Sequence, residues 1–165
     1  MKKIPFIKKY DFALLLEYNA KSLLRMQKHP TEELYIWNYM NSVAYDGSWD
    51  EITETCRGII TDGQGNVVAR PFPKFFNIGQ KEAETVNWKQ PFKVWEKKDC
   101  YLGIGYWIGD KMHLASRGSF ESDFAVAGNK ILNSIERGWI DSDKNYTFLF
   151  EIILKDKPIV LTYPE

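Results

Sequence analysis

In the stretch VWEKKDCYLGIGYW, residues 94–107, the charged run Glu96-Lys97-Lys98-Asp99 interrupts two apolar stretches. Bulky apolar residues on both sides predict β-strand. On a strand, Lys97 and Asp99 share one face while Glu96 and Lys98 point the other way. A lysine among strand-forming apolar residues must find carboxylates or anions, or lose its proton. A desolvated lysine flanked by other cations becomes a nucleophile, and such lysines form covalent intermediates. The plainer alternative is a solvated strand end with ordinary ion pairs. Taken alone, this stretch favours the alternative.

The rest of the chain supplies the elements that would position the cluster. Phe12, Leu15, Leu16, Leu23 and Met26 recur at helical spacing and predict a helix over 11–28, ended by His29-Pro30. LYIWNYMNSVAY, residues 34–45, predicts strand with a turn around Asp46-Gly47-Ser48. CRGIITDGQGNVVARPF predicts a hairpin, with GIIT and NVVAR as strands and DGQG as the turn. KFFNIGQ then leads into the polar connection KEAETVNW. YLGIGYWI is expected to pair with KMHLAS across Gly109-Asp110. A second helix is predicted from Ser122 to Glu136, capped by Ser122, with Phe124, Ala127, Ile131, Leu132 and Ile135 on one face. YTFLFEIIL and PIVLTY read as two strands joined by KDK. The expected fold class is α+β, a mostly antiparallel sheet with two helices, in a single domain over residues 1–165.

Composition narrows the function classes. The 22 basic and 22 acidic residues cancel, which argues against a general electrostatic nucleic-acid binder but leaves room for a local basic patch. A chain of 165 residues buries enough surface to fold without disulfides or metal. MKKIPFIKKY lacks the apolar run of a secretory signal, and no segment approaches the roughly 20 apolar residues of a membrane span. Cys56 and Cys100 have no metal-ligand spacing and fit a reducing compartment. A soluble cytoplasmic protein is expected, with no membrane partner. His29 and His113 have no partners at ligand spacing, so no protein metal site is predicted.

Five segments raise the odds for the lysine. TCRGIITD, RPFPKFFNIG, WEKKDCYLGIGYW, HLASRGSF and FLFEIIL…PIVLTY stand in an order and spacing that resembles the phage-type, RNA ligase 1-like enzymes. These belong to the covalent nucleotidyltransferase superfamily with the DNA ligases and RNA capping enzymes. The resemblance covers about residue 50 to 165. It implies the N-terminal part of an adenylyltransferase, ATP-grasp-like ligase domain. It further implies Lys97 as the catalytic nucleophile forming lysyl-AMP, Glu96 near the adenine and Asp99 as the motif carboxylate. Arg57 and Lys74 would reach the nucleotide, and Phe75 would join that set from the Lys-Phe-Phe-Asn segment. Arg117 would hold the nucleotide-binding face and Glu151 would contact the ribose. ATP with Mg²⁺ and RNA 5′-phosphate and 3′-hydroxyl ends follow as ligands. Taken singly, Arg57 and Arg70 also read as surface ion-pair residues, Phe75 and Phe76 as core, and Glu151 as a cross-sheet partner of a lysine.

Two departures shape the expected activity. The family motif has Gly-Ser after the Asp, where this chain has Cys100-Tyr101. A Cβ at a position needing positive φ is costly, and Tyr101 replaces a small hydroxyl residue with a large ring. A slow or inactive site is therefore expected. The family's two later motifs, a metal-associated carboxylate and a Lys-x-Lys pair for the triphosphate, are not found before Glu165. Losing one such preorganised group costs on the order of 100- to 1,000-fold in rate. The alternatives are the front half of a split ligase completed by a second chain, a non-catalytic nucleotide- or RNA-end-binding relic, and an interaction module.

Overall fold

A computed structural model of the chain describes residues 6–83, 85–135, 138 and 144–154. The first sheet is antiparallel, ordered β1 (Leu24–Lys28), β2 (Leu34–Tyr39), β3 (Arg57–Asp62), β4 (Val67–Ala69). The second, also antiparallel, runs β6 (Lys111–Ala115), β5 (Tyr101–Ile108), β7 (Leu149–Ile152). Helices α1 (Phe12–Ala20), α2 (Asn41–Asp46), α3 (Glu51–Thr55) and α4 (Asp123–Leu132) complete the described elements. The α+β class is as expected, with four described helices in place of two.

Burial fixes the layering. Leu15 of α1 packs with Leu24, Trp37 and Ile59 on one face of the first sheet. The other face, carrying Ile36, Ile60 and Ala69, meets Ile104, Tyr106 and Ala115 of the second sheet. Beyond it, Met112, Leu114 and Ile152 take Leu132 of α4. Strand alternation sends one set of side chains to each side, so each sheet serves two layers. Both expected hairpins form, with Gly65 at φ 84 in the first turn and Gly109 at φ 58 in the second.

Four expectations are corrected. The helix expected over 11–28 stops at Ala20, and Ser22 takes φ 57 before β1 begins. Leu23 and Met26 are three apart, which suits a helix, but pairing β1 with β2 from Leu24↔Tyr39 to Lys28↔Tyr35 buries Leu24 in the core. The strand expected through 45 ends at Tyr39 and becomes α2; Gly47 is its left-handed cap at φ 63, not a hairpin turn. Ser122 does cap α4, accepting from Ala125 N at 3.2 Å, but the helix ends at Leu132 and buries Ala125, Gly128 and Leu132. Ile131 and Ile135 stay exposed at 46% and 45%. The packed face is chosen by Gly128, where a Cβ would come within 2.6 Å of Ile152 Cδ1, and by Asn129, which bonds the edge of β6. Finally, Lys97 and Asp99 precede the strand instead of lying on it. β7 pairs with β5 only from Tyr101, opposite Ile152, so the charged run finds no ladder partner among the described residues. PIVLTY lies outside the described residues, as does Glu136.

Candidate functional site

A cleft of about 950 Å³ lies where the edges of the two sheets meet. Its first wall is set by a register slip. Trp37 pairs with Ile59, but Asn38 pairs with Arg57, leaving Gly58 as the extra residue of a bulge. Without the slip, alternation would turn Arg57 towards the apolar cluster of Trp37 and Ile59. With it, Arg25, Asn38 and Arg57 form one row across β1, β2 and β3, and all three line the cleft.

Gly58 does a second job. It holds φ 91, and a Cβ there would sit 2.6 Å from Ile104 Cδ1 and 2.9 Å from the Arg117 carbonyl oxygen. Only glycine lets the 116–119 loop press this closely on β3. Arg117 is thereby brought beside Arg57. Burial, and next the charge of Arg117, lower the pKa of the Arg57 guanidinium, which remains a cation. The Arg57 guanidinium carbon sits 5.1 Å from the centre of the Phe75 ring, and that of Arg117 sits 5.7 Å from Tyr39. Among the described residues, no carboxylate forms an ion pair with Arg25, Arg57 or Arg117.

The opposite wall comes from β5, β7 and the segment before them. Lys97, Cys100, Tyr101 and Glu151 line it. Lys97 Nζ donates to the Lys98 carbonyl at 3.3 Å. Partial burial raises the pKa of the Glu151 carboxyl; Lys97 and Arg57 oppose the rise and Asp99 adds to it. These four charged groups therefore feel one another across the cleft. Cys100 is not among the positive-φ residues, so its Cβ carries no such strain. Its thiol is pushed up by burial and then by Glu151 and Asp99. Tyr101 lies against Phe124 at the start of α4 with 14° between the rings.

Of the residues expected from sequence, Arg57, Phe75, Lys97, Arg117 and Glu151 come together on the cleft lining. Glu96 instead pairs with Lys98 at 2.6 Å. Lys74 donates to the Phe75 carbonyl at 3.0 Å, with its ammonium 4.6 Å from the Phe76 ring centre and 5.6 Å from that of Trp49. Asp99 is near enough to act on Glu151 but is not part of the lining. Arg25, Asn38 and Gly58 escaped the sequence reading. Arg25 had been assigned to a helix and Asn38 sits in an aromatic run, so no periodicity marked either one. Gly58 follows Arg57 directly, and that dipeptide was the one available hint of a bulge.

Among the described residues, no group of three or more His, Cys, Asp or Glu could hold a metal ion, and no helix is long and apolar enough to cross a membrane. Residues 55–165 match the family model described as RNA ligase. One similar relative is RNA ligase 1 of Bacteriophage TS2126, 28% identical over 123 residues. That alignment covers 66% of this chain and 31% of the relative, so the chain spans less than a third of that relative's length.

Proposed function

The chain belongs to the RNA ligase family, and from that premise we propose that its cleft is an adenylyltransferase site with Lys97 as the nucleophile. The observation that carries this reading is one cleft lined by a lysine, two adjacent arginines and a carboxylate: Lys97, Arg57, Arg117 and Glu151. In the proposed step the Lys97 amine attacks the α-phosphorus of ATP. A P–N bond forms, the bond to the β-phosphate bridging oxygen breaks, pyrophosphate leaves and the amine gives up a proton to solvent. Transfer of the AMP to an RNA 5′-phosphate and its displacement by a 3′-hydroxyl would complete sealing.

The roles divide by charge. Arg57 and Arg117 face the phosphates, where negative charge spreads over non-bridging oxygens in the transition state. A ring surface is available at Phe75, exposed at 56% and lying under Arg57, for stacking a base. Glu151 is the carboxylate of the lining and suits a ribose hydroxyl donor. Mg²⁺ is usually held by one or two carboxylates plus substrate phosphates, and a lining with a single carboxylate fits its arrival with the nucleotide. When bound there, it would neutralise phosphate charge. Glu96, Asp99 and Lys74 would have to reorient to join, since they are outside the lining.

Intact-mass spectrometry after incubation with ATP and Mg²⁺ tests the reading. The expected result is a gain of one adenylyl group in the parent chain and none in Lys97→Ala. Labelling that persists in Lys97→Ala places the nucleophile elsewhere. A second reading, nucleotide or RNA-end binding without transfer, draws on the replacement of Gly-Ser by Cys100-Tyr101 and on Lys97 lying outside any strand. ATP binding by calorimetry without any mass gain would favour it, or a split enzyme that needs a second chain.

A further inference from the structure

The sheet register that positions Arg57 also positions a residue to which nothing so far gives a role. Arg25 on β1 is directly opposite Asn38, and Asn38 is directly opposite Arg57. Directly opposed residues on an antiparallel ladder hold their Cβ atoms roughly 5 Å apart and project to the same face. A row of three such residues therefore carries two guanidinium groups separated by one amide. All three line the cleft, and no carboxylate among the described residues neutralises either arginine.

The rest of the row's surroundings suit the same ligand. Asn38 Nδ2 gives one of its two N–H groups to the Tyr39 carbonyl at 2.9 Å, so the two arginines are the row's charged donors. Beside the row, Ser119 and Gly118 join the lining from the loop that carries Arg117. A second strand contact fixes β1 in place: Gln27 Oε1 accepts from Phe120 N at 2.8 Å, so β1 is tied to the end of that loop. Arg25 is thus an exposed side chain on a fixed backbone. Neither guanidinium is in an ion pair among the described residues, although Arg57 Nη1 also donates to the Phe72 carbonyl at 3.5 Å. Two such groups across one amide fit an anion with several oxygens, because each guanidinium offers a planar fork of donors to phosphate.

We infer that Arg25 is a phosphate-binding residue, forming with Arg57 a second phosphate subsite in the cleft. The inference builds on the adenylyltransferase reading, but its ligand chemistry is only that of a phosphate or polyphosphate anion. Two sources supply that chemistry: the β- and γ-phosphates of ATP, and the 5′-phosphate of an RNA end. Among the described residues the Arg25 side chain forms no ion pair or hydrogen bond, so the residue would act on ligand affinity and leave folding untouched.

The test uses Arg25→Ala and Arg25→Lys beside the parent chain. Inorganic tripolyphosphate is titrated by calorimetry, and 5′-phosphorylated and 5′-hydroxyl single-stranded oligoribonucleotides are compared by fluorescence anisotropy. Arg25→Ala is expected to lose roughly tenfold in affinity on one arm, the scale of one charge-assisted hydrogen bond. Arg25→Lys should recover part of it, and the urea midpoint should not move in either variant. Loss confined to tripolyphosphate assigns the subsite to the nucleotide. Loss of the preference for 5′-phosphate over 5′-hydroxyl RNA assigns it to the RNA end. Unchanged affinity on both arms overturns the inference, and so does a parent chain that binds neither probe. Because tripolyphosphate carries no AMP to transfer, a failed mass-labelling experiment on Lys97 leaves this result readable.

Discussion

The two walls of the cleft are built in different ways. Arg25, Asn38 and Arg57 are held by the register of three strands, and Arg117 by a short loop closed on itself by Ser116 N to Ser119 O at 2.8 Å. Ser122 Oγ donates to Ser116 Oγ at 2.9 Å, tying that loop to the start of α4. On the other wall, Lys97 comes from the segment between β4 and β5, which also holds Phe75, Glu96 and Asp99 and where the described residues form neither helix nor strand. Val94 and Trp95 there are exposed at 84% and 78%. Arginine placement is thus fixed before any ligand arrives, whereas the placement of Lys97, the proposed nucleophile, is left to what binds. Ordering at the moment of binding subtracts from affinity and rate, so anion binding and transfer chemistry should be separable in this molecule.

The sharpest way to break the comparison is at the glycine that builds the fixed wall. Gly58→Ala adds left-handed strain at φ 91 to contacts of 2.6 Å with Ile104 and 2.9 Å with the Arg117 backbone. Strain costs about 1–3 kcal/mol and overpacking typically about 1–3 kcal/mol. A loss of roughly 3 kcal/mol or more is expected in urea unfolding, with anion binding lost alongside. Gly79→Ala is the matched control in the irregular segment between β4 and β5. It has a similar φ of 90 but nothing within 4 Å of the added Cβ. Only the strain of about 1–2 kcal/mol should appear there, and a segment that can shift should relieve part of it. Equal costs at the two glycines would mean that the walls are equally rigid.

A smaller effect is expected from Asn129→Ala, which probes how α4 is held on the second sheet. Asn129 Oδ1 accepts from Leu114 N at 2.8 Å, and Nδ2 donates to the Leu114 carbonyl at 2.8 Å. One side chain so satisfies both backbone groups of the edge strand β6 and holds α4 on the sheet. Truncation leaves these part-buried groups unpaired, at a cost of about 1–3 kcal/mol. Urea midpoints should fall while the Lys97 segment, which has no contact with Asn129, keeps its local protection in hydrogen exchange. A change confined to the Lys97 segment would contradict that division.

This pattern also explains what the sequence disclosed. The two hairpins were legible because Asp62-Gly63-Gln64-Gly65 and Gly109-Asp110 are local turn chemistry, and Ser122 was legible as a cap for the same reason. Lys97, Arg57, Arg117, Phe75 and Glu151 were legible through ordered motifs and do meet at one cleft. What was hidden depended on partners far away in the chain. Arg25 was lost because five residues of β1 fit helical spacing as well as strand alternation, and only pairing with β2 decides between them. The bulge at Gly58 is a relation between two strands, which the Arg57-Gly58 dipeptide hints at and only the pairing with β2 settles. On α4, hydropathy chose Ile131 and Ile135, whereas packing chose a glycine for closeness and an asparagine for hydrogen bonding.

The smallest expected effect is a pH dependence seated at His29, between the first sheet and the second. Its Nδ1 accepts from Thr31 N at 3.2 Å and Glu32 N at 3.0 Å, which assigns the ring proton to Nε2, 3.1 Å from the Tyr106 hydroxyl. The ring also packs edge-on against Phe120 at 4.8 Å. Burial lowers its pKa, with Glu32 and Glu121 opposing. The unfolded chain then takes up a proton at the ordinary value near 6.5 before the folded chain does. Stability contributed by the neutral ring is therefore present above about pH 6.5 and lost as pH falls through it, levelling once the folded form is protonated too. Urea midpoints measured from about pH 7.5 to about pH 5.5 should fall in the parent chain and flatten in His29→Gln, with His113 left intact as the other histidine. A decline that His29→Gln leaves untouched would move the titrating group elsewhere, with His113 on β6 the first to test.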